Sequence, residues 1–230
     1  MREIVFDTET TGLDPVQGHR LVEIGCVELL DRFPTGRTFH KYVNPERDMP
    51  VEAFNVHGLS IEFLRQHGLF HEIADEFLDF VGDAPLVAHN GYFDLAFINS
   101  ELSLAKRATF ARDRIIDTLM LARRKHPGAS NKLDDLCLRY KIDNSKRTKH
   151  GALLDAELLA EVYIELTDAR QTSLTLVSTD TRSVMVGGKA ASARARPEPL
   201  APRISEAERA AHAAFIATLG ENAIWRSYQA

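Results

Sequence analysis

The apolar positions along the first 170 residues change period several times, and each change marks an element. "REIVFD" is apolar and β-branched and runs into the turn-forming "TTGLDP"; "HRLVEIGCVELL" and "RTFHKYV" carry the same strand signal. Residues 2–43 therefore predict three strands in a meander. Helical periodicity follows in "PVEAFNVHG", in "SIEFLRQ" with Ser60 as N-cap, and in "LFHEIADEFLDFVG", which Gly82 closes. "PLVAHN" is a short buried strand leading into the helix "GYFDLAFINSELSLA", where Asn90 can act as the cap. "RIIDTL" repeats that strand pattern ahead of "MLARRKH", and "KLDDLCLRYK" and "GALLDAELLAEVYIELTDAR" are helices. Antiparallel strands first, then strands alternating with helices, predict one α/β domain over residues 1–170, a mixed sheet covered by helices.

The pattern then breaks. "QTSLTLV", residues 171–177, alternates Leu and Thr and suits an edge strand or a docking motif equally well. Residues 178–203 contain no aromatic side chain, are rich in Ser, Ala, Gly and Pro, and carry five basic against two acidic residues. Such a segment cannot bury enough surface to offset its chain entropy and reads as a flexible linker. Periodicity returns at 204–230: "SEAERAAHAAFIATLG" opens with a Ser205/Glu208 capping box and ends in Gly220, and the only tryptophan, Trp225, follows.

Length and composition fit this division. The 230 residues allow one domain plus a tail, and 44% hydrophobic with 27% charged residues is ordinary for a chain with a real core. No apolar run approaches the ~18 residues of a membrane helix, and "MREIVFDTET" has no signal-peptide core, so a cytoplasmic protein is expected. Cys26 and Cys137 lie in apolar-periodic segments and read as small buried hydrophobes in a reducing compartment. A net charge of −5 argues against gripping long nucleic acid by bulk electrostatics. It does not exclude a site that collects carboxylates for metal ions.

Several acids stand in unusual settings. Asp7 and Glu9 end the first strand, where i and i+2 project from one face and repel unless a cation lies between them; a turn-capping Asp beside a solvated Glu is the bland alternative. Asp94 falls about one turn into its helix among Tyr92, Phe93, Leu95 and Phe97, and an isolated charge there is costly to desolvate; the helix dipole also favours a first-turn Asp. His150 stands at a helix start with Asp155 one turn inside. Singly each is ambiguous. Together, four acids at element ends and one histidine match what two-metal phosphoryl hydrolysis requires: hard oxygen ligands for two divalent ions, and an imidazole of unperturbed pKa about 6.5 to take the proton of the attacking water.

"FDTETTG", "HNGYFD" and "HGALLDA" resemble the three exonuclease motifs of the DEDD superfamily, in the variant whose third motif is His-x4-Asp. The resemblance covers residues 1–170 and implies a ribonuclease H-like fold, three antiparallel strands followed by shorter parallel ones. It also implies 3′→5′ exonuclease activity with two divalent metal ions, Mg²⁺ or Mn²⁺. By position, Asp7 would bridge both metals, Glu9 and Asp155 would hold the one that binds the nucleophilic water, Asp94 would help place the other, and His150 would be the general base. The backbone of Thr8 and Thr10 and the side chain of Leu13 would fix and wedge the 3′-terminal nucleotide. His57 matches a position near that nucleotide and equally a helix-ending cap before Gly58. Asp117 is an N-cap or a fifth metal-site acid. Residues 139–150, five basic against one acidic, are a solvated loop or a phosphate contact.

The tail selects among relatives. A helix plus Trp225, tethered by a linker, cannot form a core alone, and a buried Trp is a common binding hot spot. The layout resembles the proofreading-subunit family of bacterial DNA polymerase III. That implies a DNA 3′ end as substrate and a place in the cytoplasmic replisome. It implies two protein partners: the polymerase catalytic (alpha) subunit, held through Phe215, Leu219 and Trp225, and the ring-shaped sliding clamp (beta), held through Gln171, Leu174 and Leu176. Leu176 replaces the usual aromatic, so the clamp contact is expected to be weak. Tethering raises effective concentration and suits an acidic nuclease with little DNA affinity of its own. A stand-alone RNA-trimming or DNA-repair exonuclease of the same superfamily is the alternative.

Overall fold

The computed structural model describes residues 1–169 and 204–219. The linker and the expected contacts of Gln171, Leu174, Leu176 and Trp225 lie outside the described residues. The chain divides into two compact units, Met1–Leu174 and Thr175–Ala230.

In the first unit the predicted meander is present as β1 (Arg2–Thr10), β2 (Leu21–Leu30) and β3 (Phe33–Tyr42). Two short strands, β4 (Leu86–Ala88) and β5 (Ile115–Asp117), complete a five-stranded sheet of order β3-β2-β1-β4-β5. The β1–β2 and β2–β3 pairs are antiparallel, and β1–β4 and β4–β5 are parallel. The mixed α/β sheet expected from the pattern is the one observed. β3 begins four residues before "RTFHKYV": Phe33 to Gly36 are exposed, and Pro34 and Gly36 are poor strand formers.

The helices are α1 (Val51–His57), α2 (Ile61–Leu64), α3 (Phe70–Val81), α4 (Tyr92–Leu104), α5 (Thr118–Lys125), α6 (Leu133–Tyr140) and α7 (Ala152–Leu166). Ser60 accepts from the Phe63 amide as the expected cap of α2, and α3 ends at Gly82, φ 51°. Asn90 is not the side-chain cap of α4: it sits at φ 63° with Gly91 in the cap position.

β1 is buried on both faces, and its alternation sorts the core. Ile4 and Phe6 pack with Phe39, Phe70, Phe77 and Ile98 on the face that α3 and α4 cover. Val5 packs with Val27, Val87, Leu159 and Tyr163 on the face that α7 covers. At about 1.5–3 kcal/mol for each large side chain withdrawn from water, these two layers fix the helices to the sheet. Glu3 is buried on the α7 side; it accepts from the Tyr163 hydroxyl at 2.7 Å and pairs with Arg32 at 2.8 Å. α5, α6 and α7 share a third cluster around Leu136, Cys137 and Val162. Both cysteines are free and buried, as their setting predicts.

In the second unit α8 (Glu206–Thr218) opens with the predicted Ser205/Glu208 capping box. Phe215 and Leu219 are 60% and 46% exposed.

Candidate active site

The alternation that builds the core also divides "DTE". Odd positions of β1 face α7, so Asp7 and Glu9 project where α7 begins, while Thr8 projects toward α4. Thr8 Oγ1 donates to Asp94 Oδ1 at 2.7 Å, tying the strand's carboxyl end to the first turn of α4. Asp94, among its apolar neighbours, is 3% exposed.

Gly25 lies directly opposite Asp7 across the β1–β2 ladder. A Cβ there would stand 2.2 Å from the Leu153 amide nitrogen and 2.4 Å from the Ala152 carbonyl carbon. The missing side chain is what lets the first turn of α7 lie on the sheet beside Asp7. That turn carries Asp155, 3% exposed, with His150 just ahead of it, half exposed. Glu9, His150 and Asp155 each present a ligand atom within 4.8 Å of the others.

A cavity of about 600 Å³ opens at this end of β1, lined by Asp7, Thr8, Glu9, Thr10, Leu13, His57, Asp94 and His150. The expected substrate positions are therefore brought together with three of the four expected acids, and Asp155 adjoins them through Glu9 and His150. Thr10 Oγ1 donates to the Gly12 carbonyl and shapes the turn. Leu13 is 85% exposed at the rim. His57 ends α1 and also faces the cavity. Its Nδ1 accepts from the Leu59 amide at 3.0 Å, and it lines the cavity with Nε2 closed in and without a partner. Asp117 accepts from the amides of Leu119 and Asn90, at 2.9 and 3.1 Å. It caps α5 and holds the left-handed turn at Asn90.

The electrostatics are lopsided. Burial pushes Asp7 well above the ordinary carboxylate range, and the charges of Asp94, Glu9 and Asp155 push it further. Burial, then Glu23 across the ladder, then Asp155 and Asp94 raise Glu9 to about 8. Burial raises Asp94 to about 7 against the hydrogen bond from Thr8. Asp155 goes the other way: burial would raise it, but bonds from Arg147 and His150 more than offset that. A site that crowds carboxylates until three resist ionisation suits a hard divalent cation.

Three contributors were not singled out from sequence. Gly25 carried a signal, since a lone glycine inside a strand marks close approach of another backbone. His89 also lines the cavity, its ring held between Thr118 Oγ1 and the Asn131 carbonyl, both at 2.9 Å. Arg147 belongs to the basic stretch read as a solvated loop or a phosphate contact. Its side chain is instead turned inward, with the guanidinium on Asp155.

Known proteins resemble this chain in sequence and in fold. The family model described as Exonuclease matches residues 4–163. The fold recurs in exonuclease X solved with 5′-overhanging duplex DNA, at 25% identity and a TM-score of 0.57, covering 73% of this chain and 90% of that one. It recurs also in the nuclease domain of 3′hExo, a DEDDh family member bound to rAMP, at 18% identity and a TM-score of 0.59, covering 73% of this chain and 92% of that one. Among curated proteins, DNA polymerase III subunit epsilon of Rickettsia felis is 56% identical over 180 residues, covering 77% of this chain and 79% of the relative. The Escherichia coli K12 protein of the same name is 50% identical over 180 residues, covering 75% and 74%. The chain belongs to the exonuclease family and, within it, to the DNA polymerase III epsilon subunits, the family of the proofreading 3′→5′ exonuclease.

Proposed function

We propose that this chain removes mispaired nucleotides from the primer 3′ end at a bacterial replicative polymerase, hydrolysing the terminal phosphodiester of DNA and releasing 5′-mononucleotides. The observation that carries the reading is the meeting of Asp7, Glu9, Asp94, Asp155 and His150 at the carboxyl end of β1. The four carboxylates would hold two divalent ions, Mg²⁺ or Mn²⁺. When bound, these supply Lewis-acid stabilisation of the charge that develops on the phosphoryl group during in-line displacement.

The chain's own residues do the rest. His150, half exposed at the cavity edge, takes the proton of the attacking water on a ring nitrogen and passes it to solvent. Leu13 offers an exposed apolar edge beneath the terminal base, and the Thr8–Thr10 backbone at the end of β1 lies against its nucleotide. His57 brings a buried ring nitrogen to the same wall. A frayed end enters such a cavity more easily than a paired one, because unpairing costs energy. Selection for mismatches follows from that difference.

The exposed Phe215 on α8 and Leu219 at its C-terminal end support a polymerase contact that Trp225 extends, with Gln171, Leu174 and Leu176 meeting the clamp. No described helix is long and apolar enough to cross a membrane, which accords with work in the cytoplasmic replisome.

The test uses the full chain on 3′-labelled DNA. Release of 5′-mononucleotides is expected only with Mg²⁺ or Mn²⁺, faster from mismatched than from paired ends, and absent in Asp7→Ala. Truncation after residue 177 should keep this activity and lose co-purification with the polymerase. Digestion from the 5′ end, or full activity in Asp7→Ala, overturns the reading.

A further inference from the structure

Arg147 lies in the loop between α6 and α7, yet its side chain is only 8% exposed. Nε and Nη2 donate to both oxygens of Asp155, at 2.6 and 2.7 Å. Nη1 reaches back to Asp134 Oδ2 on α6 at 2.7 Å. Nη2 also stands 2.9 Å from His150 Nδ1. A guanidinium has five donors, no acceptor, and keeps its proton at any physiological pH. It can therefore only donate, and it stands against the imidazole as a fixed positive charge, 2.9 Å from Nδ1 and 3.3 Å from Nε2.

Two functions of the site are thus covered by one group. Both oxygens of one acid are taken by a cation, and the same guanidinium lies against both nitrogens of the imidazole beside it. Among the described residues, no lysine or arginine bonds Asp7, Glu9 or Asp94. The single guanidinium has settled on the only acid of the four that faces His150 directly, 3.4 Å away. The loop is otherwise lightly held at this end. Lys149 lies over the Phe54 ring at 5.1 Å, and the His150 amide donates to the Val56 carbonyl at 3.3 Å.

We propose that Arg147 is an internal cation that competes with divalent metal for Asp155: it occupies the carboxylate and covers His150 in the metal-free protein, and metal binding displaces it and frees residues 145–150. This rests on the reading of Asp155 as a metal ligand. Only the fraction of molecules with Arg147 withdrawn can bind metal, so the apparent dissociation constant is raised by the reciprocal of that fraction. Arg147 then sets the metal concentration at which the site fills, and the His150 ring is uncovered only when metal has arrived. A nuclease built this way is idle until its metal is in place.

The test is Mn²⁺ binding to the full chain without DNA, read from the electron paramagnetic resonance of free Mn²⁺. Arg147→Met keeps length and removes charge, and should tighten the Mn²⁺ dissociation constant at least about tenfold. Arg147→Lys keeps the charge but cannot bridge Asp155 and Asp134 with one fork, and should fall between; it carries the test if the methionine variant does not fold. Mn²⁺ should also speed tryptic cleavage after Lys146 or Lys149 in the wild type, with fragments assigned by mass. Unchanged or weaker Mn²⁺ binding in both variants overturns the proposal, because Arg147 would then orient Asp155 alongside the metal. Asp7→Asn separates the two ideas: if it binds Mn²⁺ as well as wild type does, the metal-site reading fails and this inference falls with it.

Discussion

Thr8 and Asp94, 86 positions apart, share a 2.7 Å hydrogen bond that joins the end of the central strand to the first turn of α4. The bond stabilises the charged form of a carboxylate that burial raises to about 7 even with the bond in place. Thr8→Val keeps the shape and deletes the donor. Removing one partner of a buried hydrogen bond costs about 1–3 kcal/mol. Much of that should appear as Mn²⁺ binding weakened roughly tenfold at neutral pH, with the binding curve moved to higher pH because Asp94 ionises later. A pH–affinity titration checks it; unchanged affinity would mean that Asp94 takes no part in holding metal.

Gly25→Ala attacks the same site from the opposite face. The added methyl meets α7 backbone at 2.2–2.4 Å, which no rotamer change can relieve. α7 must lift from the sheet, at an overpacking cost of typically 1–3 kcal/mol. His150 and Asp155 move with it. Activity is expected to fall at least about a hundredfold, since a misplacement near 1 Å has that effect on positioned groups. The melting temperature should drop by only a few degrees. Near wild-type turnover would show that the α7 start is not held in place by this contact.

These two residues mark what was legible in the sequence and what was not. The meander, the helices α3, α4 and α7 and the acids set among apolar neighbours are local patterns, visible within a dozen residues. Gly25 announces a close approach but not its partner, because Leu153 is 128 positions further along and only the folded sheet brings it near. Arg147 misled the local reading for the same reason. A run of five basic residues averages to a solvated face, and nothing within that run distinguishes the one whose partners, Asp134 and Asp155, lie 13 positions before it and 8 after it. Asn90 went wrong more simply: its backbone serves Asp117, so its side chain is not the cap.

Raised carboxylates make the metal-free protein pH-sensitive in a definite direction. Glu9, at about 8, and Asp94, at about 7, bind protons more tightly when folded than unfolded. Their contribution to stability is therefore complete below about pH 4, the unfolded range, and is lost as pH rises through 7 and 8. Asp155 has the opposite sign, but its window lies below its ordinary value and does not overlap. With a chelator present, the melting temperature should decline by several degrees between pH 5.5 and 8.5, the range in which about 1–2 kcal/mol shows for a chain of this size. Glu9→Gln should flatten the decline, and Mn²⁺ should reverse it. A melting temperature that rises with pH under chelation would contradict the assigned directions.

His150 has two chemistries open to it, and one substitution separates them. Its ring nitrogen is close enough to Glu9 and Asp155 to act as a third ligand, yet the side chain is half exposed and its neighbours are hard oxygen donors. An oxygen-rich site selects Mg²⁺ or Mn²⁺, for which imidazole is the poorer ligand. As a base, His150 should supply about 10²–10⁴ in rate. As a ligand, it should supply affinity. His150→Ala is therefore expected to keep Mn²⁺ binding within about threefold of wild type or tighter, the latter because Arg147 loses one contact. Single-turnover hydrolysis should fall by the base's factor, and the acidic limb of the pH–rate profile should disappear. A large loss of Mn²⁺ affinity with the limb intact would make His150 a ligand, and the proton would then have to leave the attacking water by another route.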